Sequence, residues 1–241
     1  LLGAPRVPFP AYTPDLADLQ SEMTRLRIDG AIVRHRACMD TAPYTGNDIL
    51  MHEISGCDNL IPAWFVTPDG CEPDWNPRLL VQRMLARGVR VAWTDPEVEM
   101  MSLQPWCSGK LYAVLQRHRI PFLLPYNRIK MDDLHLILEA YPRLPVILYN
   151  VGRLGRNRLL EPLLEQHKNL YLCFGPTFSV HNYFRDLCTR YGPERWVFGS
   201  GYPEIEGGAG IAGLTYAGLT ADEMALVAHG NIERLLSGVE A

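Results

Sequence analysis

Seven short apolar runs recur along this chain at a nearly regular spacing. Successive runs start 25 to 31 residues apart, near Ala31, Leu60, Val89, Ile120, Pro145, Leu170 and Trp196. Each interval holds one strand, one helix and two short loops, which is the repeating unit of a parallel sheet covered on both faces. The spacing therefore predicts an α/β chain built from repeated strand–helix units.

Helix-start and helix-stop residues lie between these runs. Thr13-Pro14-Asp15 and Asn76-Pro77 each place a capping residue before a proline at the first helical position. Gly30 and Gly88 then follow as residues able to end those two helices. The remaining helices are expected at 46–56, 108–118, 131–141, 156–167, 180–191 and 220–237.

Seven such units and one further strand would close a (β/α)8 TIM barrel, which typically takes about 250 residues. An open doubly wound sheet is the alternative, but it usually carries a Gly-rich turn after its first strand, and none follows residues 31–36. The first barrel strand is then expected at or before Leu1-Leu2-Gly3. Since no linker or charge block divides the chain, we expect one domain over residues 1–241.

Composition and charge exclude several classes of protein. The 241 residues are 47% hydrophobic and carry a net charge of −4, with no basic block to bind nucleic acid. The apolar runs are much shorter than the roughly 20 residues that cross a bilayer. The six cysteines form no C-x-x-C pair, and prolines and an arginine interrupt residues 1–10, unlike a secretory signal. We therefore expect a cytoplasmic protein that binds neither nucleic acid nor membranes.

In a barrel, the residues that follow each strand line the active-site face. After the first run stand Arg34, His35 and Arg36. His35 could act as acid or base near neutral pH, and the two arginines could bind an anion. The alternative is a hydrogen-bonded histidine at a strand end, flanked by solvated arginines.

Neutral polar groups follow the later runs. Tyr126, Asn127, Tyr149 and Asn150 would suit a small polar molecule, although the same groups could instead satisfy loop backbone. Trp93 could stack on a flat ligand or simply pack in the barrel.

The second half of the chain resembles an amidohydrolase-superfamily barrel, in its hydrolase and decarboxylase branch. The resemblance is carried by YPRLPVILYNVG at 141–152, NLYL at 169–172, RWVFGSGYP at 195–203, LTADE at 219–223 and GNIERLL at 230–236. Residues 16–33 resemble the first helix and second strand of that family. The order of these segments, more than any single one, gives the resemblance its specificity.

The resemblance implies a divalent metal held by a His-x-His pair on the first strand, histidines ending strands five and six, and an aspartate ending strand eight. The last three positions fall on Pro125, Asn150 and Gly201 of this chain. Proline and glycine have no side-chain donor, and an amide oxygen is a weak ligand for zinc. A His-x-His pair could lie before Leu1, but two ligands alone would bind a metal poorly.

Other histidines do not replace the missing ligands. Only His35 is near a strand end, and the rest fall on expected helices or their edges: His52, His118, His135, His167, His181 and His229. We therefore expect a barrel without a bound metal or other cofactor.

Carboxylates near the strand ends are the remaining candidates for acid–base chemistry. Glu204 and Glu206 follow the position of the missing aspartate, and Asp95 and Glu97 follow the third run. Solvation at the surface is the expected state of each one. With His35, Glu204 is the catalytic candidate.

Two further features of the last strand and the helix after it bear on ligand binding. Ser200 and Tyr202, beside the position of the missing aspartate, are candidate substrate-binding residues. Residues 208–213 match G-x-G-x-x-G but lack the strand and acidic residue of a dinucleotide-binding unit. A Gly/Ala-rich helix or turn is the better interpretation of that segment.

The sequence thus favours a hydrolase-related barrel that binds a small polar organic molecule at its C-terminal face. Two alternatives stay open: a metal-dependent hydrolase or decarboxylase with atypical ligands, and an inactive scaffold or regulatory protein. A homo-oligomer is compatible with each of these functions.

Overall fold

A computed structural model describes residues 2–3, 14–68, 76–152, 158–178 and 183–240. Seven parallel strands form a single curled sheet in chain order, so that each strand pairs with the next. The strands are β1 (Ala31–Val33), β2 (Leu60–Phe65), β3 (Val91–Trp93), β4 (Phe122–Pro125), β5 (Val146–Tyr149), β6 (Leu170–Phe174) and β7 (Trp196–Phe198). All seven strands expected from the apolar runs are confirmed.

Helices connect successive strands, as in a (β/α) barrel. They are α1 (Leu16–Leu26), α2 (Ala37–Asp40), α3 (Pro43–Glu53), α4 (Pro77–Ala86), α5 (Pro105–Arg117), α6 (Met131–Ala140), α7 (Leu160–Gln166), α8 (Tyr183–Tyr191), α9 (Gly207–Thr215), α10 (Ala221–Ala225) and α11 (Asn231–Ser237). A π-helical turn joins the last two. Residues 156–157 and 180–182, expected as the starts of two helices, lie outside the described residues, as do Thr13, Cys71 and His181.

The predicted cap of α4 is confirmed and that of α1 is wrong. The Asn76 side chain accepts a hydrogen bond from the Leu79 N–H at 3.0 Å, with a proline at the first helical position. α1 begins two residues later than expected, because Asp15 is its N-cap and accepts from the Asp18 N–H at 2.8 Å. A carboxylate that can exchange hydrogen bonds with the first turn is a strong helix start.

Of the two predicted helix ends, that of α4 is confirmed and that of α1 is wrong. Gly88 has φ +74° directly after α4, and the Val89 N–H reaches back to the Met84 carbonyl at 2.9 Å, which is the expected glycine-assisted end. Gly30 does not end α1. Arg27 takes the left-handed conformation instead, with φ 55°, so that the helix ends at Leu26.

The N-terminal residues lie beside β1. Leu2 donates to the Arg34 carbonyl at 2.8 Å and accepts from the Arg36 N–H at 2.7 Å, forming an isolated parallel bridge with His35. Leu2 thus occupies a place suited to the first barrel strand, in agreement with the position expected from the sequence.

Side chains alternate between the inside of the curled sheet and the layer under the helices. On β2, Ala63 and Phe65 pack with the interior residues Val91 and Trp93, whereas Trp64 belongs to the large cluster beneath the helices. On β1, Ile32 packs with the interior group, while Val33 packs outward against α1. Since strand side chains alternate, this register directs Arg34 inward and His35 outward.

Within the described residues, no helix is long and apolar enough to cross a membrane.

Candidate active site at the barrel mouth

Arg34 reaches from β1 across the interior of the curled sheet. Its guanidinium carbon lies 4.7 Å from the centroid of the Trp93 ring and 4.2 Å from that of Tyr149. Three strands separate β1 from β5 in the sheet, so the contact with Tyr149 joins opposite walls. These distances are within the range of cation–π attraction, which is worth about 0.5–2 kcal/mol per contact.

The charge of Arg34 has no acidic partner among the residues that the structure describes. Its described interactions are the two ring contacts, and the side chain is partly exposed. Its nitrogens are not among the buried, unpaired polar atoms, so solvent reaches the N–H groups. Arg34 therefore presents at the barrel mouth a positive charge that no carboxylate of the described residues neutralises.

Cys173 lies on the same inner surface, on β6. A Cβ atom added at Gly199 would lie 2.5 Å from its Sγ, so the thiol is packed tightly against β7. Burial raises the pKa of the Cys173 thiol to about 12, despite the opposing charge of Arg34. The thiol is therefore neutral at physiological pH, and it is unsuited to act as a nucleophile.

His35 faces away from this surface. Its ring is 5% exposed, its Nδ1 accepts from the Ala37 N–H at 3.1 Å, and its Nε2 lies 3.4 Å from the Glu53 carboxylate on α3. A Cβ at Gly3 would come within 2.8 Å of the ring. Burial lowers the pKa of His35, although Glu53 acts in the opposite direction. This placement between Gly3 and α3 favours a structural role over acid–base catalysis in the barrel.

Three other charged candidates pair locally or are exposed to solvent. The Arg36 Nε is 3.5 Å from the Asp40 carboxylate, within the same short helical segment. Glu204 is exposed on the loop after β7, as expected for a solvated carboxylate. Glu206 serves a structural purpose: it caps α9 by accepting from the Gly208 N–H at 2.9 Å and pairs with Arg25.

Trp93 is an interior packing residue. It is fully buried, its Nε1 donates to the Ala63 carbonyl at 3.2 Å, and its ring meets Phe65 edge-on with centroids 4.5 Å apart. Arg34 lies over its face. A flat ligand would have to displace that guanidinium before it could stack on Trp93.

The neutral polar candidates lie at the carboxyl edge of the sheet. Tyr126 is partly buried and Asn127 is exposed in a short 3-10 turn after β4. Asn150 is exposed after β5 in the left-handed conformation, with φ 58°. After β7, the Ser200 hydroxyl accepts from the Tyr202 N–H at 3.3 Å, and both residues are partly exposed.

The buried carboxylate of Asp95 forms an ion pair with the half-exposed Arg128, which the sequence did not reveal. Asp95 is only 3% exposed, so the expectation of a solvated carboxylate is wrong at this position. Its Oδ2 lies 2.6 Å from the Arg128 Nη1. The two residues follow β3 and β4, which are adjacent strands, and that adjacency was the signal that could have identified the pair.

The metal-ligand positions implied by the family resemblance are strand ends in this fold. Pro125 is the last residue of β4, Asn150 follows β5 directly, and Gly201 comes after β7. Together they offer one neutral amide oxygen, whereas a catalytic zinc needs three protein ligands. Over the described ranges, no group of three or more His, Cys, Asp or Glu is arranged to hold a metal ion. These residues do not fit the family's metal centre.

Conspicuous polar residues of the resembling motifs are structural. The Asn169 amide donates to three carbonyls, those of Leu138, Tyr141 and Leu144. The Asn231 amide donates to the carbonyls of Pro193 and of Trp196, the first residue of β7. These two asparagines therefore satisfy buried backbone carbonyls and take no part in the chemistry of the barrel mouth.

Two remaining sequence predictions concern helices. Residues 208–213 lie within α9, which confirms the helix interpretation of the G-x-G-x-x-G match. His135 and His167 form an imidazole pair between α6 and the end of α7, with Nδ1 and Nε2 2.9 Å apart. Neither lies at the carboxyl end of a strand.

Comparison with known protein families gives one match that spans nearly the whole chain. The family described as Amidohydrolase matches residues 5–238. A comparison with curated proteins gives no match.

Solved structures provide a similarity of fold. An uncharacterised TIM-barrel protein of Bordetella bronchiseptica is 18% identical, with a TM-score of 0.71, and the match covers 95% of this chain and 87% of that one. 5-Carboxyvanillate decarboxylase of Sphingomonas paucimobilis is 12% identical, with a TM-score of 0.70 over 93% and 84% of the two chains. 2,6-Dihydroxybenzoate decarboxylase of Rhizobium is 13% identical, with a TM-score of 0.67 over 93% and 89%. The TIM-barrel fold is therefore confirmed.

Proposed function

Because the chain belongs to the amidohydrolase family, we propose that it binds a small polar organic molecule at the C-terminal face of its barrel, without a catalytic metal. The observation that carries this proposal is the donor set at the strand ends. Pro125, Asn150 and Gly201 stand where metal ligands are implied, and they cannot together bind a divalent ion. Around them are neutral hydrogen-bonding side chains.

The candidate ligand contacts follow two adjacent strands, β4 and β5, and the more distant β7. Tyr126 and Asn127 follow β4, Asn150 follows β5, and Ser200 and Tyr202 follow β7. Neutral donors and acceptors of this kind are typical of sites that orient a small polar ligand.

Hydrolysis is the activity that the family membership favours. Among the acid–base candidates, Glu204 is exposed on the loop after β7, where an ionised carboxylate could serve as a general base toward a bound substrate. His35 is held against α3 and Gly3, which makes it the weaker candidate.

A cytoplasmic location is part of the same proposal. Five cysteines in the described part of the chain are free thiols, which suits a reducing compartment.

Metal analysis combined with ligand screening tests the proposal directly. The purified protein should contain far less than one zinc or manganese ion per chain, and its melting temperature should be unchanged by EDTA. A panel of small polar molecules should include one that stabilises the protein, by about 2.7 kcal/mol at 100 times its Kd. A stoichiometric divalent ion held by the chain's own residues would contradict the proposal.

Two alternatives would give different results in these measurements. The decarboxylases among the structural neighbours favour a metal-dependent hydrolase or decarboxylase with atypical ligands, and that alternative requires a bound metal. A scaffold or regulatory homo-oligomer requires a stable oligomer on size-exclusion chromatography and no response to any ligand.

A further inference from the structure

The guanidinium of Arg34 lies over two aromatic rings. Its central carbon is 4.7 Å from the ring centroid of Trp93 and 4.2 Å from that of Tyr149, which come from β3 and β5, the two strands that flank β4. Contact with aromatic rings uses none of the N–H donors of a guanidinium, so they can still bind another partner. Among the described residues, no acceptor pairs with the donors of Arg34.

Other arginines of the chain show what a satisfied guanidinium looks like. Arg128 pairs with Asp95 at 2.6 Å, and the buried Arg195 donates to backbone carbonyls. Within the described ranges, Arg34 has neither kind of partner. A partly buried charge without compensation is unfavourable, so a structure that retains one gains most from an anion that binds there.

The guanidinium also lies beside a position implied for the metal. Tyr149, which stacks on Arg34, directly precedes Asn150, and Asn150 stands where the family resemblance implies a histidine ligand. The end of β5, where the family resemblance implies a metal ion, therefore has a positive charge nearby. The guanidinium of Arg34, which follows β1, provides that charge.

We propose that Arg34 supplies, as a fixed guanidinium, the positive charge that a divalent ion would supply in this barrel, and that the ligand is a small organic oxyanion bound by its edge. This inference rests on the proposed function, because it identifies the class of molecule bound at the C-terminal face. Two coplanar oxygens, as in a carboxylate or a phosphate, match the guanidinium fork. A lysine ammonium offers no such fork, so that lysine would preserve the charge but not the geometry.

Benzoate, benzamide and inorganic phosphate are suitable probes for calorimetry in the presence of EDTA. Benzoate and benzamide have the same shape and differ in charge, and phosphate tests whether an anion without an aromatic ring suffices. We expect wild-type protein to bind benzoate or phosphate and to bind benzamide at least tenfold more weakly. Tighter binding of benzoate identifies the ligand as a carboxylate, and tighter binding of phosphate identifies it as a phosphate.

Three variants separate the role of Arg34 from general charge effects. Arg34→Gln should weaken anion binding at least tenfold, and Arg34→Lys should give an intermediate affinity. Arg117→Gln removes the same charge from the exposed surface of α5, and its anion affinity should equal that of wild type. Circular dichroism and thermal melts establish whether each variant folds. If Arg34→Gln does not fold, the affinity of Arg34→Lys still tests the role of the guanidinium.

Several outcomes would overturn the inference. They are equal anion affinity of Arg34→Gln and wild type, binding of benzamide as tight as that of benzoate, or no binding of either anion by wild type. If a neutral molecule binds at the rim independently of Arg34, the proposed function stands and this inference fails. If stoichiometric metal is found, the proposed function fails, and the dependence of anion binding on Arg34 is still measured by the same variants.

Discussion

Replacement of Arg195 should be among the most damaging single changes in this barrel. The side chain is 3% exposed and lies just before β7. Its Nε donates to the Leu170 carbonyl at 2.8 Å, and its Nη2 donates to the carbonyls of His167 and Leu170 at 2.5 and 2.7 Å. Its Nη1 adds a longer bond of 3.3 Å to the carbonyl of Leu164. One guanidinium therefore satisfies the backbone between α7 and β6.

The size of the effect follows from those carbonyls. In Arg195→Met the side chain keeps much of its bulk but loses every donor to the carbonyls of Leu164, His167 and Leu170. The His167 carbonyl keeps a 3.4 Å bond from the Leu170 N–H, so the loss is greatest at the other two carbonyls, at about 1–3 kcal/mol each. Removal of a buried charge recovers part of that loss, because its desolvation cost disappears. We expect a net loss of about 3–5 kcal/mol, a large part of the 5–15 kcal/mol typical of folded domains.

Urea denaturation of wild type and Arg195→Met measures this loss. The midpoint should fall while the slope of the transition stays constant, and the melting temperature should fall by about 6–20 °C for a chain of this size. Arg190→Met is the matched control: Arg190 forms two ion pairs, with Glu161 and Glu165, but is 57% exposed. The control should lose less than about 1 kcal/mol. A loss below 1 kcal/mol in Arg195→Met would refute the role assigned to its hydrogen bonds.

Three further changes test other parts of the structure. Arg128→Met should cost about 1–3 kcal/mol, because it leaves the buried Asp95 unpaired while Arg128 itself is 40% exposed; a double-mutant cycle with Asp95→Asn should recover much of that cost. Burial lowers the pKa of His167, so the folded protein binds fewer protons than the unfolded chain, and stability should decline as pH falls below about 6.5; His167→Gln should reduce that slope in urea midpoints between pH 5 and 7.5, and an unchanged slope would contradict this. Asn150→Ala should be about 1 kcal/mol less stable than Asn150→Gly, because φ is 58° there, and equal thermal melts would argue against strain.

The positions of the strands could be predicted because parallel strands buried on both faces are apolar throughout. Val146–Tyr149 and Leu170–Phe174, for example, stand out as uninterrupted apolar runs. Helix ends were harder to predict, because several residues compete for the same conformation. Gly30 is the expected terminator of α1 by residue type. Arg27, three residues earlier, adopts the left-handed conformation instead, and its residue type gives no sign of this.

The candidate site was only partly predictable. Arg34 and Tyr149 could each be identified as strand-end residues. Their contact joins strands that are far apart in the sheet, and the spacing of residues along the sequence does not predict a contact between such strands. The outward orientation of the His35 side chain could have been predicted from the sequence. Alternation along β1 assigns it to the outer face with Val33, opposite Ile32 and Arg34.

Arg195 and Arg34 carry the same chemical group at opposite ends of the two outermost strands of the sheet, and they differ in how many hydrogen bonds the chain makes to them. Arg195, before β7, has its hydrogen-bonding capacity consumed by the chain itself. Arg34, after β1, contacts two aromatic rings and makes no hydrogen bond from its guanidinium to the described residues. Barrels generally separate residues that maintain the scaffold from residues that meet solutes in this way. A mutant library diversified around Arg34, with Arg195 and its carbonyls untouched, should therefore yield altered recognition on an intact framework.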